Sequence, residues 1–236
     1  MQVELVDYFG SDESVVRAAR ISYGREKKDP VSDAFLIDYL IRHGHTSPFA
    51  HTAFTFRLHI PIYVARQIMR HHVGFAWNEL SLRYTKAKDY MWVDERRVNG
   101  VDIMLDAYRY AQEAYENLIK LGNPPEVARA VLPLGIYTKL VVTANLRALF
   151  NLWEQRLTKE AQEETRNVAQ MMLDAVEELG DFHASLTAWR FWRQPTHTQE
   201  ECISHVKQLA PSATEKDIKR YLRRLMDDGR CEPASA

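Results

Sequence analysis

Six of the nine histidines lie between positions 43 and 72: His43, His45, His51, His59, His71 and His72. Histidine can ligate a metal, bond a cofactor ring or titrate near neutral pH. A metal site needs three or four converging ligands, and no HExxH or CxxC pattern supports these histidines. We therefore assign no metal. His59 reads as a residue lining a sheet face.

The segment RQIMRHHVGFAWNELSLRY is denser in chemistry. It carries Arg66, Gln67, Arg70, His71, His72, Asn78, Glu79, Ser81 and Arg83 among apolar Phe75, Trp77 and Leu80. Arginine grips phosphate bidentately, and serine and amide groups add neutral donors. The mixture suits a pocket for a planar, polar, anionic ligand, although a solvated helix face has the same composition. A second cluster comprises Arg129, Asn145, Arg147, Asn151 and Arg156. Arg147 and Asn151 are i, i+4 neighbours on a helix. On the same ideal helix Asn145 stands roughly 200° from Arg147. Either that helix is distorted or the site is shared between subunits.

These residues need elements to position them. Residues 2–6 alternate as an edge strand. Ser11 and Asp12 can cap a first helix, and Ser32 a second one that presents Leu36, Tyr39, Leu40 and His43 and stops at Gly44. Residues 52–60 read as a strand with Phe54, Phe56, Leu58 and Ile60 on one face. Pro61 then opens a helix over 62–72, with Gln67, Arg70 and His71 on one face. Residues 73–84 read as a loop. A long helix follows with Ala107, Ala111, Ala114, Leu118 and Leu121 in step, ended by the sequence GNPP. Further helices are expected at 125–131, 137–153, 159–179 and about 214–228. The class is α/β (α+β), rich in helix.

With these pieces in order, the chain resembles the flavin-dependent thymidylate synthases. The resemblance runs from about residue 12 to about residue 175. It rests on RAARISYG, HGHTSPFAHTAFTF, IYVARQIMRHH, NELSLRY, EVARAVLPLGIYTK and NLRALFNLWEQR. It implies a helix-rich fold with a small antiparallel sheet, and a homotetramer with active sites between subunits. FAD is the implied cofactor, with NADPH and methylenetetrahydrofolate as co-substrates. Ser22, His45, Ser47, Arg70, His71, Asn145, Arg147 and Asn151 would meet the flavin. Gln67, Arg70, Glu79, Ser81, Arg83, Arg129 and Arg156 would meet a dUMP or UMP nucleotide. Arg156 is the catalytic candidate, holding charge that builds on the pyrimidine, with Ser81 and Arg70 beside it. Neither Cys202 nor Cys231 falls in the matching region, so no cysteine nucleophile is expected. A catalytic domain would span 1–194, with a helical extension over 195–236.

The chain departs from the family pattern at four places. His72 replaces an arginine, the loop before Ser81 is one residue longer, Leu82 replaces a small residue, and Ala50 stands where an acid is common. Such changes either lower flavin affinity or reshape the pocket for a different uridine nucleotide such as UMP, as in nucleoside-antibiotic pathways.

Composition bounds the alternatives. Lys and Arg number 31 against 32 Asp and Glu, a formal net charge of −1. That charge disfavours a nucleic-acid module built on Arg66, Arg70, Arg83 and the tail residues Lys216, Lys219, Arg220, Arg223 and Arg224. A metallohydrolase lacks a ligand motif. The first ten residues lack a basic region followed by an apolar run, no stretch is long enough to span a bilayer, and two unpaired thiols fit a cytoplasmic protein.

Overall fold

The computed structural model describes residues 1–21, 24, 29–86, 91–193 and 197–232. Four strands form one antiparallel sheet in the order β1-β2-β4-β3. They are β1 (Gln2–Phe9), β2 (Ala53–Pro61), β3 (Phe75–Glu79) and β4 (Tyr137–Ala144). The helices are α1 (Asp12–Ile21), α2 (Pro30–Arg42), α3 (Ile62–Ile68), α4 (Val101–Lys120), α5 (Pro125–Ala128), α6 (Leu146–Arg156), α7 (Glu163–Glu177), α8 (His183–Phe191), α9 (Gln199–Leu209) and α10 (Glu215–Asp227). Short 3-10 turns occur at Ser47–Ala50 and Arg129–Val131. No helix among the described residues is long and apolar enough to cross a membrane.

The chain divides into two compact units. The first comprises Met1–Asp7, Thr55–Ala144 and Leu152–Met172, the second Tyr8–Phe54, Asn145–Asn151 and Leu173–Ala236.

In the first unit, the alternation foreseen for β2 holds, and Phe56, Leu58 and Ile60 are fully buried. Each such side chain contributes about 1.5–3 kcal/mol by leaving water. The helix expected over 137–153 is not one helix. Residues 137–144 form β4, with Thr138, Leu140, Val142 and Ala144 buried on one face. Period-two burial of β-branched residues favours a strand, and the register with β3 (Phe75 opposite Ala144, Glu79 opposite Leu140) fixes it. The supposed loop over 73–84 therefore contains a strand, β3.

The helix expected over 62–72 stops at Ile68. The chain turns at once, with the His71 N–H on the Ile68 carbonyl and the Trp77 indole N–H on the His71 carbonyl, each at 3.1 Å. A helix running to His72 would give up that tertiary bond. Gln67 thus stays helical, while Arg70 and His71 leave the common face predicted for them. Helix α4 buries Tyr108 and Tyr115 rather than the alanine stripe.

In the second unit, Val15, Val16, Ile37, Leu40, Phe49, Phe54 and Phe182 pack the interior. Ser32 does not cap α2, which begins at Pro30 after Asp29. Asp12 turns its carboxylate to α8, accepting from the Ala184 N–H at 2.7 Å, the Ser185 N–H at 3.1 Å and the Ser185 hydroxyl. Burial raises the Asp12 carboxyl to about 6 despite these donors. Helix α10 falls where expected, closed at its start by a capping box between Thr214 and Asp217.

Candidate active site

Arg156 is the last residue of α6. Its Nε donates to the His71 Nε2 at 3.1 Å and one terminal nitrogen donates to the Gln67 carbonyl at 3.1 Å. Arginine has no acceptor, so the His71 Nε2 must carry a lone pair and its proton must sit on Nδ1. His71 is buried, and desolvation, then Arg156 and His72, lower it from 6.5 to about 4. It is a neutral acceptor at physiological pH, and it aims the guanidinium.

Gln67 is locked in turn. Its side-chain oxygen accepts from the Thr165 hydroxyl at 3.0 Å and its nitrogen donates to the Gln162 side chain. Arg66, Gln67, Arg70, Gln155 and Arg156 line one cavity of about 610 Å³. Three arginines and no carboxylate face it, which suits an anion. Arg70 is exposed and Arg156 half-buried. The structure therefore joins Arg70 and Arg156, from two separate motif pieces, at one cavity.

A neighbouring cavity of about 420 Å³ is lined by Arg66, Glu79, Arg129 and Thr138, with Met69, Leu80 and Leu132 among its apolar walls. The Thr138 hydroxyl donates to Glu79 at 2.7 Å. Arg66 borders both cavities. Ser81 and Arg83 line neither. The Ser81 Oγ accepts the Arg83 N–H at 3.3 Å, and the Arg83 Nε reaches Glu126 at 3.1 Å on the surface. His72 is exposed and precedes the turn through Gly74, whose φ is +78. No sequence pattern pointed to Gln162, Thr165 or Trp77 as supports of this cluster, because each acts through a tertiary contact that no local period records.

The acceptor role of His71 sets a pH dependence. Its depressed value means that the unfolded chain takes up a proton near pH 6.5 that the folded chain refuses until about pH 4. The stability His71 confers is complete above 6.5 and declines as pH falls toward 4. We expect the stability difference between the native protein and His71→Gln to shrink across that window and to be flat above it. Urea midpoints at pH 7.5 and 5 would check this, and a pH-independent difference would contradict the neutral assignment.

The second unit contains the other expected residues. Gly44, at φ +69, ends α2 and lets the His45 N–H reach the Leu40 carbonyl at 2.8 Å. His45 stands edge-on to Tyr39 at 5.8 Å, and both are exposed. Ser47 opens an exposed turn whose next residues, Pro48 and Phe49, are buried. The Thr52 hydroxyl donates to the Phe49 carbonyl and accepts the Leu146 N–H, each at 3.0 Å, tying this turn to the start of α6. Asn145 does not lie on the helix. It caps it, accepting the Ala148 N–H at 2.9 Å, which removes the conflict of angle with Arg147. Arg147 and Asn151 follow on the exposed face. Ser22 lies outside the described residues. A flavin nucleotide carries a flat ring, hydroxyls and a diphosphate. An exposed ring-edge pair, a serine, and an arginine one helical turn from an asparagine fit that donor set.

Residues 4–179 match the model of the family described as thymidylate synthase complementing protein. The chain belongs to that family. A flavin-dependent thymidylate synthase of Pseudothermotoga lettingae is 40% identical over 179 residues, covering 71% of this chain and 80% of that one. Another, from Borreliella burgdorferi, is 33% identical over 244 residues and covers 92% of this chain and 91% of its own. That second match necessarily reaches beyond residue 195. Among solved structures, a UMP/dUMP methylase, PolB from Streptomyces cacaoi bound with 5-Br dUMP, superposes with a TM-score of 0.73 at 33% identity, covering 80% of this chain and 94% of that one. The same protein bound with 5-Br UMP gives 0.71. As a member of this family the chain is a methyltransferase-type flavoenzyme. FAD is the family's cofactor, and NADPH and methylenetetrahydrofolate are its usual co-substrates.

Proposed function

We propose that this enzyme methylates carbon 5 of dUMP to give dTMP, using FAD, NADPH and methylenetetrahydrofolate. The observation that carries the reading is Arg156, held by His71 and the Gln67 carbonyl at the edge of an arginine-lined cavity, in a chain of this family. Carbon 5 of uracil is a poor nucleophile until electron density is pushed onto it. A fixed guanidinium beside the pyrimidine carbonyls or N3 stabilises the negative charge as it builds. Arg70 and Arg129 suit the phosphate and Glu79 and Gln67 the base and sugar, while Ser81 and Arg83, which line neither cavity, are assigned to the nucleotide on the family resemblance. Ser81 positions the nucleotide and is no covalent nucleophile.

Cysteine chemistry has little support. Both thiols are buried, and burial beside Cys231 pushes the Cys202 thiol well up from its ordinary value. Ser22, His45, Ser47, Arg70, His71, Asn145, Arg147 and Asn151 would hold FAD. When bound, FAD supplies the redox chemistry that turns the transferred carbon into a methyl group.

We assign the catalytic domain to 1–194 and a helical extension to 195–236, and place the enzyme in the cytoplasm. The assembly we propose is a homotetramer with shared active sites. Ile103, Leu105 and Tyr110 of α4 are left exposed, as an intersubunit surface requires.

A second reading, methylation of UMP, is favoured by the solved relative described as acting on both nucleotides and by His72 with its lengthened approach to Ser81. Incubation with FAD, NADPH, methylenetetrahydrofolate and either nucleotide decides by product mass. We expect dUMP to turn over roughly tenfold faster or more, since the pocket must reject an added hydroxyl. Faster methylation of UMP would select the second reading, and no product from either would remove both.

A further inference from the structure

We propose that Asp228, in the C-terminal extension, is a positioning residue for the flavin-binding turn, acting through His43 and Tyr39 on His45. This rests on the reading that His45 and Ser47 contact FAD.

Asp228 follows α10. Its carboxylate pairs with the Arg42 guanidinium and lies 3.5 Å from the His43 Nε2. The His43 ring packs on Tyr39 with centroids 4.3 Å apart, and His45 meets the same tyrosine edge-on at 5.8 Å. One carboxylate thus borders a cluster of three rings, in which His43 and His45 also face each other directly at 6.3 Å, and the cluster includes the proposed flavin contact. All three ring residues are exposed. The Arg42 guanidinium lies over the Tyr39 ring at 5.8 Å, so the group that pairs with Asp228 also meets the central ring of the cluster.

Asp228 is itself firmly placed. Tyr221 of α10 stacks on Phe35 of α2 at 4.2 Å and 11°, and its hydroxyl bonds Asp38. Asp38 is fully buried and also accepts from Trp192 and His205, each at 2.6 Å. The extension is therefore bolted to α2 on one side, and Asp228 reaches round its last turn to the other. Arg42, with its side chain only 2% exposed, anchors the Asp228 Oδ2, and that same oxygen faces His43. A site whose rings are set before the ligand arrives binds more tightly, because their ordering is not deducted from the binding energy.

A merely structural ion pair would change the melting temperature and leave flavin affinity alone. The full-length protein distinguishes the two. We expect Asp228→Asn to weaken FAD binding about fivefold to twentyfold by flavin fluorescence. His43→Phe should do the same, and the double variant should be no worse than the weaker single, as two members of one relay require. With FAD saturating, dUMP affinity and kcat should stay within about twofold of the native protein, and Asp228→Glu should recover part of the FAD affinity. An FAD dissociation constant unchanged in Asp228→Asn, or fully additive losses, would overturn the proposal. If Asp228→Asn does not fold, the surface variant His43→Phe decides alone, and unchanged FAD affinity refutes it. His45→Ala separates the two layers. No loss of FAD affinity there removes the flavin assignment of the turn and the relay with it. A loss there without one in Asp228→Asn removes the relay alone.

Discussion

Replacing Arg156 with alanine should lower kcat for dUMP methylation by about 10²–10⁴-fold, the range expected when a preorganised donor at a developing charge is removed. The side chain is held at two points, and both partners are oriented by others. His71 is neutral by burial, and Gln67 is fixed by Gln162 and Thr165. A guanidinium placed this way needs no rearrangement as charge grows on the pyrimidine. Lysine keeps the charge but loses the fork, and cannot donate to the His71 ring and the Gln67 carbonyl in the same geometry. Arg156→Lys should therefore recover less than about a tenth of the activity. Steady-state kinetics with dUMP, beside melting curves of each variant, would check both. The side chain is only half-buried, so the melting temperature should move little. Full activity in Arg156→Ala would remove Arg156 from catalysis and the charge-stabilising mechanism with it.

The largest stability loss is expected at Asp38, far from that cluster in sequence. Its Oδ1 accepts from Trp192 and His205, its Oδ2 from Tyr221, and the Arg42 Nε lies 3.8 Å away. Asp38→Ala leaves two buried donors, His205 and Tyr221, and the half-buried Trp192 indole without their common acceptor, and leaves the buried Arg42 guanidinium with Asp228 alone. Breaking such a site costs about 3–5 kcal/mol. For a chain of this size that is a fall in melting temperature on the order of 10 °C. An amide in place of this carboxylate keeps one oxygen for Trp192 and His205, so Asp38→Asn should lie between. Differential scanning calorimetry would check the order. A shift of only a degree or two in Asp38→Ala would show that the network contributes little net stability.

Neither the Asp38 network nor the pairing of Asp228 with His43 is legible in sequence. Asp38 and Tyr221 are 183 residues apart, and Asp38 and Trp192 are 154. An aspartate on a helix reads as solvated until three aromatic or histidine donors close on it. The motif pieces supply the candidate site residues in order, and the structure brings Gln67, Arg70, His71 and Arg156 of that set together. Yet the contact on which the role proposed for Arg156 depends, a neutral His71 acceptor, joins residues 85 apart in sequence.

What the sequence determined by itself was the family, the list of polar residues, and every element whose periodicity is strong and local, such as β2 and α10. Tertiary structure decided the rest. Residues 137–144 carry branched side chains that suit either state, and pairing with β3 made them a strand. That strand delayed the start of the helix expected there to Leu146, which leaves Asn145 as its cap rather than a passenger on its surface. The physical reason is common to all these cases. Burial and hydrogen bonding between distant segments outweigh the few tenths of a kcal/mol by which a local stretch prefers one backbone state to another.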